Sequence, residues 1–214
     1  MRRAGRKQHY HHGDLRAALV DTAIELIAER GVAGFSLAEA SRRLGVAVSA
    51  PYRHFADRQE LLAAVAVRAC EVLTDTVAAE SADAHTSIEA LVAAARGYVR
   101  FGVEQRALFE AAFGSALDRP RHPELVRATG PLKDAFLGAA LDLSDGDPDR
   151  AGALALAVAT TAHGHAVMAH LGAFGTGPDA AELAIGRAGD ATRALLTGRR
   201  AIPPLPNALH LDTP

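Results

Sequence analysis

The sequence has no tryptophan, few other aromatic residues and a single cysteine. Aromatic side chains make up 5% of the 214 residues, and Cys70 carries the only thiol, which excludes a disulfide within the chain. We predict that Cys70 is a small buried or half-buried apolar residue in a reducing cytoplasm. Runs of β-branched residues long enough for strands are hard to find, whereas alanine is abundant. The composition therefore predicts an all-α fold.

Long apolar runs and the short motifs of common enzyme families are also missing. No uninterrupted stretch of 18 apolar residues occurs, so we expect no membrane-spanning helix and no membrane partner. The basic N-terminus leads into histidine and aspartate rather than into the apolar core of a secretory signal. The sequence contains no P-loop, no paired CxxC and no GxSxG. We therefore expect a cytoplasmic protein with no cofactor and no catalytic function.

Charge is divided unevenly along the chain. Residues 1–62 hold ten Lys and Arg against seven Asp and Glu, a net charge of +3. Residues 63–214 hold thirteen against eighteen, a net charge of −5, and the two values sum to the −2 of the whole sequence. A basic head on an acidic body indicates a polyanion partner at the N-terminal end only.

Hydrophobic periodicity and capping residues divide the chain into four parts. We expect a flexible basic arm at 1–13, a helical head at 14–60, a helical body at 61–198 and a disordered tail at 199–214. The helix that opens after Asp57 should run on from the head into the body.

Three helices are predicted in the head before that longer one. The first ends at Gly31, the second runs from Ser36 to Gly45, and a brief third reaches about Phe55. Ser36 and Glu39 have the spacing of a capping box. Two short helices joined by a glycine-containing turn and packed on a preceding helix form a helix-turn-helix. The third segment has too few apolar residues for a core helix, which predicts that its outer face serves for binding.

The residues around this turn follow a pattern that extends over about residues 10–65. It combines a glycine turn, an aliphatic residue and a Tyr-x-His-Phe segment, followed by a charged residue that opens the next helix. All of these parts occur in the run Gly31…Phe35-Ser-Leu-Ala-Glu-Ala40…Leu44-Gly-Val46…Pro51-Tyr-Arg-His-Phe55-Ala-Asp-Arg58…Leu61-Leu62. In order and spacing, this run resembles the DNA-binding region of the TetR family of regulators. Beyond it, only the number and plan of the helices are similar.

The resemblance implies contacts to the DNA backbone. Tyr52 and His54 would reach phosphates, which fix the register of the protein without reading bases. Arg58 matches the family's basic phosphate-binding position, and Ser36 caps a helix whose N-terminus would face a further phosphate. For each of these residues, a surface or capping role without DNA remains the alternative. Further positive potential is expected from Arg42 and Arg43.

The surface available for reading bases has few polar groups. Ser49 offers one hydroxyl and Arg53 one guanidinium, and the other side chains offer chiefly methyl or methylene groups, at Ala47, Val48, Ala50 and Pro51. Direct readout would then depend on thymine methyl contacts, on Ser49 and on Arg53. The basic arm either enters the minor groove or is a solubilising tail. We expect no metal at its histidines, because a fourth ordered ligand is missing.

Five further helices are predicted in the body, and one contains the segment Thr-Ala-His-Gly-His-Ala. His163 and His170 share a helix face with Val167 between them, whereas His165 lies about 200° around the axis. Because a helix that is apolar all round is buried all round, one stripe should face a cavity and another a partner subunit. The His-Gly pair resembles one subgroup of the family, in which Gly164 would allow close helix approach.

The resemblance also implies that the body dimerises through its last two long helices and binds a small molecule. Candidate walls of the ligand site, each of which also fits a plain core position, are Tyr98, Phe101, Phe109, Phe113, Phe136, His163, Val167, Met168 and His170. The expected function is a transcriptional regulator that binds double-stranded operator DNA as a homodimer. We expect a repressor, released from a palindromic operator by a small, mostly apolar effector.

Two other functions fit parts of the sequence. A helical enzyme would use His163, His165 and His170 with Glu104 or Glu110 as a metal or acid–base site, although HExxH and other paired ligand motifs are missing. An adaptor without a DNA role would leave the Tyr-Arg-His-Phe segment and the basic head unexplained.

Overall fold

A computed structural model describes residues 15–114, 117–118 and 121–205, and within these ranges the chain forms eight α-helices and no strand. This confirms the predicted all-α fold. The helices are α1 (Leu15–Gly34), α2 (Leu37–Leu44), α3 (Arg58–Ser81), α4 (Ser87–Glu104), α5 (Arg106–Phe113), α6 (Pro123–Asp142), α7 (Pro148–His170) and α8 (Ala180–Thr197). The predicted arm at 1–13, with His9, His11 and His12, lies outside the described residues.

Helix ends in the head fall where the capping residues predict them. Gly31 has a non-helical backbone (φ 70°, ψ 170°) that interrupts α1, after which one further turn follows. Gly45 ends α2 in the left-handed conformation (φ 69°, ψ 26°), where a side chain would be strained. At the other end of α2, the Ser36 hydroxyl accepts the Glu39 N–H at 3.2 Å. Local sequence therefore determines where the helices of the head begin and end.

One continuous hydrophobic core joins the head to the body. It begins with buried residues of α1 such as Leu19 and Leu26, continues through Leu61 and Leu73 of α3, and extends to Ile185 of α8. The expected boundary at residues 60–61 falls within the first turn of α3, so this helix belongs to both parts. Motion of α3 relative to the body would therefore move the head.

Two glycines allow α4 to pack closely on its neighbours. A Cβ at Gly97 would lie 2.9 Å from the Cα of Val77 and 3.1 Å from the carbonyl oxygen of Thr76, both on α3. A Cβ at Gly102 would lie 2.8 Å from the Cβ of Ala166 on α7. These approaches place α4 against the helix that enters the head and against the histidine-bearing helix.

The first part of the predicted disordered tail is folded, which corrects that prediction for residues 199–205. Arg199–Ala201 form a 3₁₀ turn, and Ile202 packs against the core. The N–H of Leu205 donates to the carbonyl of Asp149 at 3.1 Å. The proline-rich composition concealed these contacts, because they depend on α7 being in place.

Helix α7 is apolar on more faces than a single chain can bury. By length and composition it is the one helix among the described residues that could cross a membrane, with a mean hydropathy of 1.2 over 18 residues, of which 39% are buried. A core helix that also forms a subunit interface meets the same criteria, so this is weak support for a membrane span.

Candidate functional site

The segment predicted as a brief third helix consists of tight turns instead. The N–H of Ala50 donates to the carbonyl of Ala47 at 2.9 Å, and only Pro51–Arg53 form a regular 3₁₀ turn. An α-helix starting at Ala47 would need an N–H at position 51 to reach that carbonyl, and proline has none. The carbonyl therefore accepts the N–H three residues along, which tightens the chain into 3₁₀ geometry.

The side chains of this segment are divided between solvent and core. Val48 and Tyr52 are 53% and 54% exposed, although both side chains are large and mostly apolar. Ala47, Ser49, Arg53 and His54 are exposed as well, and Ala50 is half-buried. Pro51 is buried against the head, so its inclusion among the DNA-facing residues is wrong. We call residues 47–50 and 52–54, all of which are exposed except the half-buried Ala50, the turn surface.

Arg58 is turned inward and binds the backbone of the head. Its Nε donates to the carbonyl of Phe35 at 3.1 Å, and one terminal nitrogen donates to the carbonyl of Val32. The guanidinium also lies 4.6 Å from the centroid of the Phe35 ring. Arg58 therefore ties the start of α3 to the chain between α1 and α2, and the phosphate role that the resemblance implied does not fit this geometry. The sequence pattern located a basic residue correctly but could not show which way it points.

The arginines of α2 are paired with glutamates. Arg43 makes two hydrogen bonds of 2.7 Å to the carboxylate of Glu29, which lowers the pKa of that carboxyl. Glu39 forms ion pairs with Arg42 and, at 3.6 Å, with Arg30. Since Glu39 faces these arginines, the reciprocal half of the predicted capping box is replaced by ion pairs. The positive potential expected from Arg42 and Arg43 is therefore partly neutralised.

A basic residue next to the turn surface was missed by sequence reasoning. Arg16, in the first turn of α1, is exposed, and its guanidinium lies 5.2 Å from the centroid of the buried Phe55 ring. This contact holds a cation against Phe55, the residue that follows the turn surface. Its signal was available in the helical pattern, because position 16 lies off the apolar face formed by Leu15 and Leu19.

In the body, five predicted residues form one aromatic cluster between α4, α5 and α7. The hydroxyl of Tyr98 lies 3.0 Å from Nδ1 of His163. Phe109 stacks on the His163 ring at 5.3 Å between centroids and meets the His170 ring edge-on at 5.1 Å. Phe113 lies 5.3 Å from the His163 ring. Because both histidines contact Phe109, the prediction that they share one face is confirmed.

Each histidine of α7 has a structural partner of its own. Nε2 of His170 lies 2.8 Å from the carbonyl of Gly102, and Nδ1 of His165 lies 2.8 Å from the carbonyl of Thr161. His165 also stacks on Phe174, away from the other two. Burial lowers the pKa of His163, which favours its neutral form. The three rings therefore do not converge on a common point.

The carboxylates of the enzyme alternative are also paired. Glu104 lies 3.3 Å from Arg100, and Glu110 lies 2.9 Å from Arg106. Among the described residues, no group of three or more His, Cys, Asp or Glu side chains is arranged to hold a metal ion. In the described part of the chain, the residues named for the enzyme alternative are therefore not brought together into one site.

An apolar cavity of about 260 Å³ lies between α4, α6 and α7. Helix α6 contributes Thr129, Leu132, Lys133, Phe136 and Leu137. Helix α7 contributes Gly152, Ala155, Leu156 and Ala159, and α4 contributes Tyr98. A larger cleft of about 590 Å³ lies beside the α6–α7 loop, but charged residues such as Asp145, Arg150 and Arg199 line it. The smaller cavity is therefore the better site for an apolar ligand.

Only some of the predicted ligand residues reach this cavity. Tyr98 and Phe136 line it, and the rings of His163, Phe109, Phe113 and His170 lie in the cluster around Tyr98. Phe101 is a buried core residue in contact with Phe109. Val167 and Met168 are 36% and 47% exposed and do not line this cavity. Helical spacing places Val167 near His163 around the axis of α7, but spacing does not show which of these side chains other helices cover.

An uncovered apolar stripe follows one face of α7. Leu156 and Leu171 are 43% and 74% exposed, and with Thr160, Gly164, Val167 and Met168 they form what we call the α7 stripe. Leu183 on α8 is 48% exposed. A Cβ added at Gly164 on α7 or at Gly186 on α8 would meet no atom of the described residues within 4 Å, so packing within the chain does not require glycine there. The stripe therefore has the composition of a helix–helix contact that a single chain leaves open.

A helical head with an exposed turn, joined by one helix to a helical body, is the arrangement of DNA-binding transcriptional regulators with a helix-turn-helix head. Residues 19–65 match the family model of bacterial regulatory proteins of the tetR family, and residues 91–186 match a Tetracyclin repressor-like C-terminal domain. The chain belongs to the TetR family of bacterial regulatory proteins, and is therefore a non-enzymatic transcription factor. This confirms the resemblance to the TetR family found in the sequence of the head.

Individual relatives agree with this family. YobS of Bacillus subtilis (strain 168), described as an uncharacterized HTH-type transcriptional regulator, is 33% identical over 101 residues, which span 47% of this chain and 52% of that protein. The matched region is thus about half the length of that relative.

Solved structures extend the likeness to most of the chain. A protein of unknown function from Rhodococcus sp. RHA1 has a TM-score of 0.71 and 28% identity over 88% of this chain and 98% of that one. A tetR family regulatory protein from Rhodococcus RHA1 has a TM-score of 0.65 and 18% identity, over 84% of this chain and 95% of that one, which shows a shared fold.

Proposed function

We propose that this chain is a cytoplasmic homodimeric repressor that binds a palindromic operator and releases it when a small, mostly apolar ligand enters the cavity between α4, α6 and α7. The observation that carries the DNA-binding part is the turn surface, where large side chains stay exposed although the head around them is well packed. An exposed patch of this kind on a rigid support is a binding surface.

The turn surface supports a division of roles on DNA. Tyr52 and His54 offer polar groups suited to phosphates, and two exposed cations belong to the same part of the head, Arg53 between them in sequence and Arg16 against the ring of Phe55. Ser49 and the methyl groups of Ala47, Val48 and Ala50 are left for base edges. Ser36 marks the N-terminus of α2, where free N–H groups favour a phosphate.

The α7 stripe supports dimerisation through α7 and α8. Pairing two stripes would cover Leu156, Val167, Met168 and Leu171, which are otherwise exposed. Gly164 would permit the two α7 helices to approach closely, as the resemblance implies. One recognition segment per chain then requires two-fold symmetry to supply the second half-site.

The position of α4 supports a route from ligand to DNA. Tyr98 lines the cavity, and its neighbour Gly97 is in backbone contact with α3, which enters the head. Because no side chain lies between the two backbones at this point, a shift of α4 is passed to α3 rather than absorbed. A ligand that favours the shifted form would then change the spacing of the two heads.

Selection of bound fragments from random duplex DNA tests the DNA-binding part. We expect a palindrome whose half-sites lie one helical turn, about 34 Å, or a multiple apart. Deleting one half-site from the selected duplex should abolish tight binding. Binding that ignores this deletion would contradict the dimeric repressor.

The oligomeric state of two variants tests whether a second chain covers the α7 stripe. Leu171→Glu places a charge on the most exposed large apolar residue of the stripe and should produce monomers that no longer bind the selected duplex. Leu205→Glu, at an exposed position away from α7's stripe, is the control and should leave the dimer intact. Sedimentation at one protein concentration measures both, and a dimeric Leu171→Glu protein would contradict the interface.

A further inference from the structure

The cavity contains the only lysine of the body. Of 23 basic residues, 21 are arginines, and the two lysines are Lys7 and Lys133. Lys133 lies at the apolar cavity rather than on the open surface typical of lysine. We propose that this cavity takes a small amphipathic organic anion, a carboxylate with an aliphatic tail, whose charged group meets Lys133.

The cavity has a polar edge and an apolar interior. Thr129 and Lys133 are four residues apart, so they lie one turn apart on the same face of α6. Across from them, the wall formed by α7 offers only glycine, alanine and leucine. At the α4 side, the hydroxyl of Tyr98 is already engaged by His163. A ligand would therefore place its polar group at Lys133 and its hydrocarbon tail against Phe136, Ala155 and Ala159.

The positive charge of Lys133 favours an anionic ligand over a cationic one. It also favours a carboxylate over a neutral alcohol, because a hydrogen bond between two charged groups is stronger. The hydroxyl of Thr129 donates to the carbonyl of Val126 at 2.8 Å, so it offers an acceptor but no further hydrogen. Lys133 offers donors only, and a carboxylate is an acceptor only. Lys133 already interacts within the chain, so an incoming carboxylate exchanges or shares that partner. An ammonium ligand would instead be repelled at this edge.

The volume limits the length of the tail. The cavity volume of about 260 Å³ is below the range of about 300–1,000 Å³ usual for drug-sized ligands. The expected ligand therefore has about ten non-hydrogen atoms, as octanoate has. This inference rests on the proposed function, in which the same cavity binds the effector.

The test compares octanoate with 1-octanol and octylamine by calorimetric titration of the full-length protein at pH 7.5. We expect octanoate to bind most tightly, and Lys133→Met to weaken it about tenfold or more, as loss of a hydrogen bond to a charged group does. Binding of 1-octanol should change by less than about twofold in the same variant. Lys133→Arg should retain most of the octanoate affinity.

Two control variants separate the cation from net charge and from the cavity itself. Arg127→Met removes an exposed cation from the same helix and should leave octanoate binding unchanged. Ala159→Phe fills the cavity and should abolish binding of both octanoate and 1-octanol. Thermal unfolding of each variant checks that the fold is kept.

The outcomes distinguish this inference from the proposed function. Equal binding of octanoate and 1-octanol, both lost in Ala159→Phe and neither changed in Lys133→Met, would overturn the anionic ligand and leave the effector cavity standing. Tighter binding of octylamine would overturn it likewise. If none of the three compounds binds, both the anionic ligand and the effector cavity are wrong.

Discussion

The head and the body build their candidate functional surfaces in opposite ways. The turn surface consists of residues that are neighbours in sequence. The helix ends around it are set by nearby capping residues and glycines. The cavity and the aromatic cluster combine residues from α4, α5, α6 and α7, which are far apart in sequence. A surface built from one segment is recognisable from sequence, whereas a cavity built by packing becomes visible only when the helices are assembled.

The two parts resemble each other in how they use arginine. In the head, Arg58 binds two backbone carbonyls and Arg43 binds Glu29. In the body, Arg100 joins three helices by contacts to Glu80 at 2.6 Å and to Glu182 at 2.9 Å, and these carboxylates raise its pKa. A basic residue in a DNA-binding head is therefore not by itself a DNA contact.

The largest expected effect comes from removing Arg58, the half-buried arginine at the start of α3. Arg58→Ala should lower the free energy of unfolding by about 2–3 kcal/mol, because two backbone carbonyls lose a charged donor and the Phe35 ring loses its cation. The salt dependence of DNA binding by the folded fraction should stay unchanged. Denaturant titration and DNA titrations at several salt concentrations measure the two quantities.

Arg53→Ala is the matched control on the turn surface. Because Arg53 is exposed, the substitution should change the free energy of unfolding of the protein by less than about 0.5 kcal/mol. The slope of log affinity against log salt should fall by about one unit if Arg53 contacts a phosphate. If Arg58→Ala lowers this slope and leaves stability intact, the inward role of Arg58 is wrong.

The second effect concerns close packing in the body. Gly97→Ala should lower the free energy of unfolding by about 1–3 kcal/mol, because the added Cβ would lie 2.9 Å from the α3 backbone. Gly138→Ala, in the middle of α6 where the added Cβ meets no described atom within 4 Å, should instead raise stability by about 0.4–1 kcal/mol. Denaturant titration at one protein concentration compares them. Equal effects at both positions would show that α3 and α4 are not in close contact.

Residue types that act locally were predictable from sequence, and those that act through packing were not. Ser36, Gly31 and Gly45 set helix limits through their own backbone, and all three stand where the sequence predicted. Arg58 was assigned from the family resemblance and Val167 from helical spacing, but the direction of a side chain depends on neighbours from distant segments. The same reason hid the contact of Leu205 with Asp149.

A third effect compares one chemical change in both regions. Tyr98→Phe removes the hydroxyl bonded to His163 in the body and should lower the free energy of unfolding by about 0.5–1.5 kcal/mol. Tyr52→Phe removes an exposed hydroxyl from the head and should leave stability unchanged while weakening binding to all DNA sequences. Should Tyr52→Phe shift preference among sequences without changing nonspecific affinity, Tyr52 would be a base contact.

The smallest effect is the pH dependence that His163 confers on stability. Burial lowers its pKa in the folded protein, so below the ordinary histidine pKa of about 6.5 the unfolded chain binds a proton that the folded protein does not. The free energy of unfolding should therefore fall as the pH drops from 7.5 through 6.5 to 5.5. His163→Gln keeps a hydrogen-bonding group beside Tyr98 but cannot titrate in this range, and His165 and His170 remain in both proteins. The stability of the wild-type protein relative to this variant should thus be constant above about pH 7.5 and decrease below it. Denaturant titrations at fixed protein concentration measure this difference, since dimer stability depends on concentration. A difference that does not vary with pH would mean that His163 is as hydrated in the folded protein as in the unfolded chain.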